Sequence, residues 1–98
     1  MSRSLQVRDT ARSDMAVGRR WLEEQEAGLG MDFLNDVEST LERIEGNPEL
    51  YGRIWRSFRA ALLSRFQYQV IYFFTDTEII VVAVQHSRQS RRRWQSRL

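Results

Sequence analysis

Arg59, Arg65 and His86, together with Arg88, Arg91, Arg92, Arg93 and Arg97 set around Trp94, are the side chains of this sequence with the most chemistry to offer. Arginine presents a planar donor fork that matches phosphate, carboxylate and aromatic faces. Acting on a phosphodiester, Arg59 and Arg65 could neutralise developing charge while His86 moved a proton. Acting by contact alone, the same cations and one aromatic anchor could dock on an acidic surface, which makes all of them candidate target-binding residues. Each also has a purely structural use. Arg59 and Arg65 can pair with carboxylates on neighbouring helices, for less than about 1 kcal/mol each. His86 can be a hydrogen-bonded group at a strand end, and Trp94 can fold back and pin the tail to the sheet.

The rest of the composition narrows the chemistry. The chain has 98 residues, no Cys and a single His, so disulfides, thiolate metal sites and a usual zinc site are excluded, and neither metal nor cofactor is expected. Charge is divided along the chain: residues 1–49 hold six Arg against eleven Asp and Glu, a net of −5, whereas residues 50–98 hold nine Arg against Asp76 and Glu78, a net of +7. An imbalance of this size points to an anionic partner for the C-terminal half. All fifteen basic residues are Arg. A GC-rich coding sequence accounts for the missing Lys, so only the clustering of Arg counts as functional evidence. No charged-then-apolar segment opens the sequence, and its longest apolar run, Ile79 to Val84, is far short of the ~20 residues that span a bilayer. The expectation is a cytoplasmic protein with no membrane partner.

The elements that must position these residues follow from periodicity. Leu5-Gln6-Val7 reads as a short strand, and Asp9 or Thr10 can cap a helix running to about Glu26, with Ala11, Met15, Gly18, Trp21, Leu22 and Gln25 at helical spacing. Gly28-Leu29-Gly30 breaks that pattern. A second helix, opening near Asp32, carries the stripe Phe33, Leu34, Val37, Leu41 and Ile44 and stops at Gly46-Asn47-Pro48, with Gly at the C-cap. So short a linker makes the two helices an antiparallel hairpin. Residues 54–63, 68–75 and 78–86 read as three strands of an antiparallel meander, with Thr75-Asp76-Thr77 as a tight turn. Because Ile79 to Val84 is apolar on both faces, its strand should be an inner one, covered by the hairpin on one side and partly covered on the other. The fold class is therefore α+β: an N-terminal strand, a helical hairpin packed on a small sheet, and a basic C-terminal tail, in one domain over residues 1–98. Residues 91–95 can form a helical turn or stay extended. Trp21, Phe33, Phe66 and Tyr68 read as core, and Glu23, Glu24, Glu38 and Glu42 as a solvated face.

Several residues fall in a familiar order: Trp21 and Gln25 ahead of Gly28-Leu29-Gly30, then Phe33-Leu34, Asn47-Pro48 with Tyr51, Arg59, Arg65-Phe66-x-Tyr68, Tyr72, Ala83-Val84-x-His86, and Trp94 with Arg97. From about residue 5 to residue 97 this set resembles the RelE/ParE superfamily of bacterial type II toxin–antitoxin toxins, and the ParE-like branch in particular. The resemblance implies a monomeric toxin of the plasmid-stabilisation type that inhibits DNA gyrase by binding. It also implies a cognate antitoxin, laid across the hairpin as an amphipathic helix and along the sheet as an extended segment, with DNA contacted only through that antitoxin. Gln67 stands where the branch usually has Pro, which alters a turn and removes no charge. The sister branch comprises ribosome-dependent mRNA endonucleases, whose chemistry here could fall only to Arg59, Arg65 and His86. That branch commonly adds a Lys or Glu on the sheet and a Tyr or second His near the C-terminal end. This sequence has no Lys, follows His86 with Ser87, and has Tyr72 as its last tyrosine.

Overall fold

Residues 3–98 are described by the computed structural model. The two apolar stripes form helices, α1 (Asp9–Gln25) and α2 (Leu29–Gly46), that pack against each other as a hairpin. Ala11, Gly18 and Leu22 of α1 and Phe33, Val37 and Ile44 of α2 are buried, while Met15, Leu34 and Leu41 are half-buried. Phe33 is the hub. Its ring meets Phe66 and Tyr68 edge-on, with centroids 5.7 and 4.8 Å away. The linker depends on glycine twice. Gly28 has a φ of 95°, a left-handed conformation that costs other residues steric energy. A Cβ at Gly30 would lie 2.9 Å from the Arg19 carbonyl, so the helices approach there with no room for a side chain.

Several expectations are corrected at the helix ends and along their faces. Arg8, not Asp9 or Thr10, occupies the N-cap of α1, where no side chain caps the helix; Asp9 acts only as a first-turn charge. The second helix opens at Leu29, ahead of Asp32, and ends with Gly46 as its last residue and Asn47 as the C-cap. Glu23 is not an idle solvated residue. Its carboxylate accepts from the Gly28 and Gly30 N–H groups (3.1 and 2.9 Å), capping α2 from the preceding helix, and these bonds hold its pKa below the usual carboxylate value. Trp21, expected in the core, is 54% exposed.

The sheet has five strands in the order β1-β5-β4-β3-β2: β1 (Ser4–Val7), β2 (Arg53–Trp55), β3 (Phe58–Leu62), β4 (Tyr68–Phe74) and β5 (Glu78–His86). The expected single strand over residues 54–63 is two strands. The chain reverses at Arg56, whose φ of 51° lets Trp55 pair with Phe58, although no Gly or Asn marks the turn. The turn at Thr75 is as expected, its hydroxyl accepting from the Thr77 and Glu78 N–H groups. Every neighbouring pair is antiparallel except β1 and β5, which run parallel from Ser4↔Glu78 to Val7↔Val81. The α+β class stands. Strand β5 is an inner strand, and apolar residues lie on both of its faces. On the hairpin side Ile79, Val81 and Val84 join Val70 and Tyr72 against the helices; on the other side Val82, Ala83 and Ile71 form a second cluster with Trp94. Among the described residues no helix is long and apolar enough to cross a membrane.

Candidate functional site

One irregularity in β5 organises the end of the molecule where the cationic residues gather. Ile71 pairs with Ala83 but Tyr72 pairs with Val81, so Val82 is an extra residue, a bulge. The parallel partner β1 ends at Val7, opposite Val81, which leaves the following stretch of the β5 edge without a neighbouring strand. Side chains take over its backbone groups. Asp14 of α1 accepts from the Val84 N–H at 3.0 Å, and the Arg97 guanidinium donates to the Val82 carbonyl at 3.0 Å. Arg97 also donates to both oxygens of Asp14 (2.8 and 2.7 Å), and Arg93 donates to one of them at 2.8 Å. Asp14 is 6% exposed. Burial alone would raise its pKa, but the bonds from Arg97, Arg93 and Val84 outweigh burial and hold it below the usual carboxylate range. The bond to Asp14 in turn raises the pKa of Arg97, against the opposing effect of burial.

The C-terminal strap, residues 87–98, is therefore ordered by both chemistry and packing. Its short helix α3 (Arg92–Gln95) seats Trp94 on the sheet face away from the hairpin, 1% exposed, against Phe58 and Trp55 at centroid distances of 5.0 and 5.8 Å. Gln85, buried in β5, donates to the Gln89 and Ser90 carbonyls and accepts from Arg93. The tail residues thus divide. Trp94, Arg93 and Arg97 are turned to the molecule itself, whereas Arg88, Arg91 and Arg92 are exposed.

The other candidates lie apart from one another. Arg59 is opposite Tyr72 and His86 is opposite Tyr68, so the two are four residues of β4 apart, about 13 Å at the usual strand rise. Arg59 donates to the Glu49 and Tyr51 carbonyls (3.2 and 2.6 Å), holding the segment after α2 to the sheet. Beside it the Tyr72 hydroxyl donates to the Pro48 carbonyl at 2.6 Å; burial pushes its pKa up to about 12 despite the nearby Arg59 charge. Arg65 shares the sheet end with His86 but turns to α2, 3.5 Å from Asp32 in an exposed pair. Its loop is fixed by Asp36, which accepts from the Ser64 and Arg65 N–H groups. His86 stands edge-on to Tyr68 at 5.4 Å and accepts from the Arg88 N–H through Nδ1.

Two hollows flank the strap. A groove of about 390 Å³ runs between α1 and the sheet end, walled by Val17, Trp21 and Tyr68 and ended by His86, Arg88 and Arg93. Burial raises the Tyr68 pKa, against the opposing charge of Arg93. A hollow of about 270 Å³ on the other side is lined by Gln69, Gln85, Gln89, Arg91 and Trp94. At this end of the molecule an exposed guanidinium, Arg88 on one side and Arg91 on the other, meets apolar and amide surface in each hollow. The sequence reading missed Asp14, because a lone acid near an apolar stripe has no local mark of a partner 83 residues away.

No family model matches the sequence, and no curated protein does. Solved structures do match. A chain from the chromosomal ParDE toxin–antitoxin system of P. aeruginosa superposes with a TM-score of 0.78 at 13% identity, over 87% of this chain and 96% of that one. A chain from the RelBE2 toxin–antitoxin complex of Mycobacterium tuberculosis superposes with a TM-score of 0.58 at 17% identity, over 88% and 99% of the two. At these identities the likeness is one of fold.

Proposed function

We propose that this chain, which has the fold of the RelE/ParE superfamily, is the toxin of a bacterial type II toxin–antitoxin pair and acts, as a ParE-like monomer of the plasmid-stabilisation type, by binding DNA gyrase. The observation that carries the reading is the match along almost the whole of a chain from the ParDE system, which covers both the helical hairpin and the sheet. Binding is favoured over chemistry by the separation of Arg59 from His86, since proton transfer and charge stabilisation must act on one phosphate. The exposed Arg88, Arg91 and Arg92, with His86 at the same end, are the residues that would meet the target. Arg65 would contribute from the adjoining loop. Arg59, Arg93, Arg97 and Trp94 would act through the shape they impose. A cognate antitoxin would cover the exposed Val17 and Trp21 with the apolar side of an amphipathic helix, and DNA would be reached only through that antitoxin.

Two assays on one preparation test this. Gyrase supercoiling should be blocked, or cleaved DNA trapped, while mRNA on programmed ribosomes stays intact. Codon-specific cuts with unimpaired gyrase would transfer the protein to the endonuclease class and require a partner to bring Arg59, Arg65 and His86 together. If both assays are silent and an antitoxin still binds, the chain is a non-toxic relative.

A further inference from the structure

We infer that Asp14 is a lock that holds the C-terminal strap in one pose, and that Arg88, Arg91 and Arg92 reach their target as a fixed ridge only while this lock is closed; the functional half rests on the toxin reading above. Three observations converge on this carboxylate. It is buried, it takes the backbone N–H that the bulge at Val82 leaves facing an open edge, and it accepts from two arginines of a strap 79 and 83 residues further on. Arg97 closes the same edge by donating to Val82. Asp14 and Arg97 thus continue the work that β1 stops doing at Val7: they satisfy an inner strand along the part that β1 does not reach.

The lock acts on one side of the sheet and Trp94 on the other, so the strap is gripped from two sides around the β5 edge. Neither grip suffices by its own chemistry. Trp94 sits on a helix of four residues, too short to hold its own conformation in water. The Asp14 pairs, for their part, compete with strong hydration of three charged groups. Released, the strap would be an arginine-rich segment with little apolar surface and no fixed direction for its cations. An ordered ridge presents them already positioned, which removes the ordering cost from the binding step.

Hydrogen exchange on the full-length protein tests the lock directly. Asp14→Asn should speed amide exchange in residues 88–98 by at least tenfold while leaving α2, β3 and β4 protected. Asp36→Asn supplies a matched comparison, since Asp36 is also a buried helical carboxylate that accepts backbone N–H groups, yet touches nothing in the strap; strap exchange there should stay at the wild-type rate. Arg97→Lys keeps the charge without the two-oxygen fork and should give an intermediate rate. Should Asp14→Asn fail to fold, this lysine variant carries the test alone. Unchanged strap exchange overturns the lock. Released strap with undiminished growth arrest overturns the positioning role. The expected result is release with at least a tenfold loss of toxicity and retained antitoxin binding. A wild type that arrests no growth would sink the toxin reading instead, and the lock would then stand or fall on exchange.

Discussion

Helices of 17 and 18 residues cover one face of the sheet, with Phe33, Val37, Ile44 and Tyr72 closed beneath them, whereas the other face is closed by a four-residue helix whose Trp94 packs on Trp55 and Phe58. The first face is built from many small contributions repeated along two periodic stripes, so no one contact decides it. The second centres on one large aromatic, whose strap is held from across the β5 edge by one buried ion cluster. It is also the face beside the exposed arginines. A region closed by few contacts opens at lower free energy than a core closed by many, and binding segments are commonly drawn from such regions. The contrast therefore separates a broadly packed scaffold from a narrowly held strap within a chain of 98 residues.

The comparison can be broken at several points. Phe33→Ala removes the hub of the helix-covered face and should cost about 3–5 kcal/mol in urea unfolding, felt by every element at once. A loss below about 1 kcal/mol would mean the hairpin is not the scaffold. Trp94→Ala is expected near the lower end of that range, about 3 kcal/mol, because the strap can detach while the scaffold stands. Amide exchange should then rise across residues 87–98 and Val82–Val84 before α2 loses protection; simultaneous loss everywhere would merge the two regions into one cooperative unit.

Acid sharpens the distinction further. The folded Asp14 carboxyl titrates below its unfolded value, so its stabilisation is complete above about pH 4 and is lost as pH falls through the depressed native value. The difference in unfolding free energy between wild type and Asp14→Asn should begin to close near that pH and keep closing below it. A difference that is constant from neutrality to pH 3 would show that the carboxylate does no such work. The smallest effect belongs to Arg65→Ala. Its pair with Asp32 is exposed on both sides, so stability should change by less than about 1 kcal/mol, and by less still at high salt. If gyrase inhibition nevertheless falls, Arg65 belongs to the target face and not to the scaffold.

These two regions also differ in how far they could be read from residues alone. The hairpin was legible because its information is local: stripes at spacings of three and four, then Gly28 and Pro48 as breaks. The turn at Thr75 and the inner position of β5 were legible for the same reason. The split between β2 and β3 was not, since Trp55-Arg56-Ser57-Phe58 contains none of the residues that favour a positive φ. Trp21 falls on the apolar period of α1 yet projects toward the groove, because the stripe of a two-helix layer is narrower than the spacing suggests. For the candidate site, residue type marked the cationic residues at the end of β5 and in the strap, His86, Arg88, Arg91 and Arg92 among them. It could not separate these from Arg93, Arg97 and Trp94, which differ only in contacts made across the fold.

The parallel pairing of β1 with β5 also governs when the molecule can finish folding. Ser4 must wait for Glu78, and Asp14 for Arg93 and Arg97, so the N-terminal strand and the strap lock close only after nearly the whole chain exists. Contacts so distant in sequence form late, after the local hairpin and meander are in place. A nascent chain thus carries its arginines without their final arrangement, and the shape that a target would recognise is assembled last.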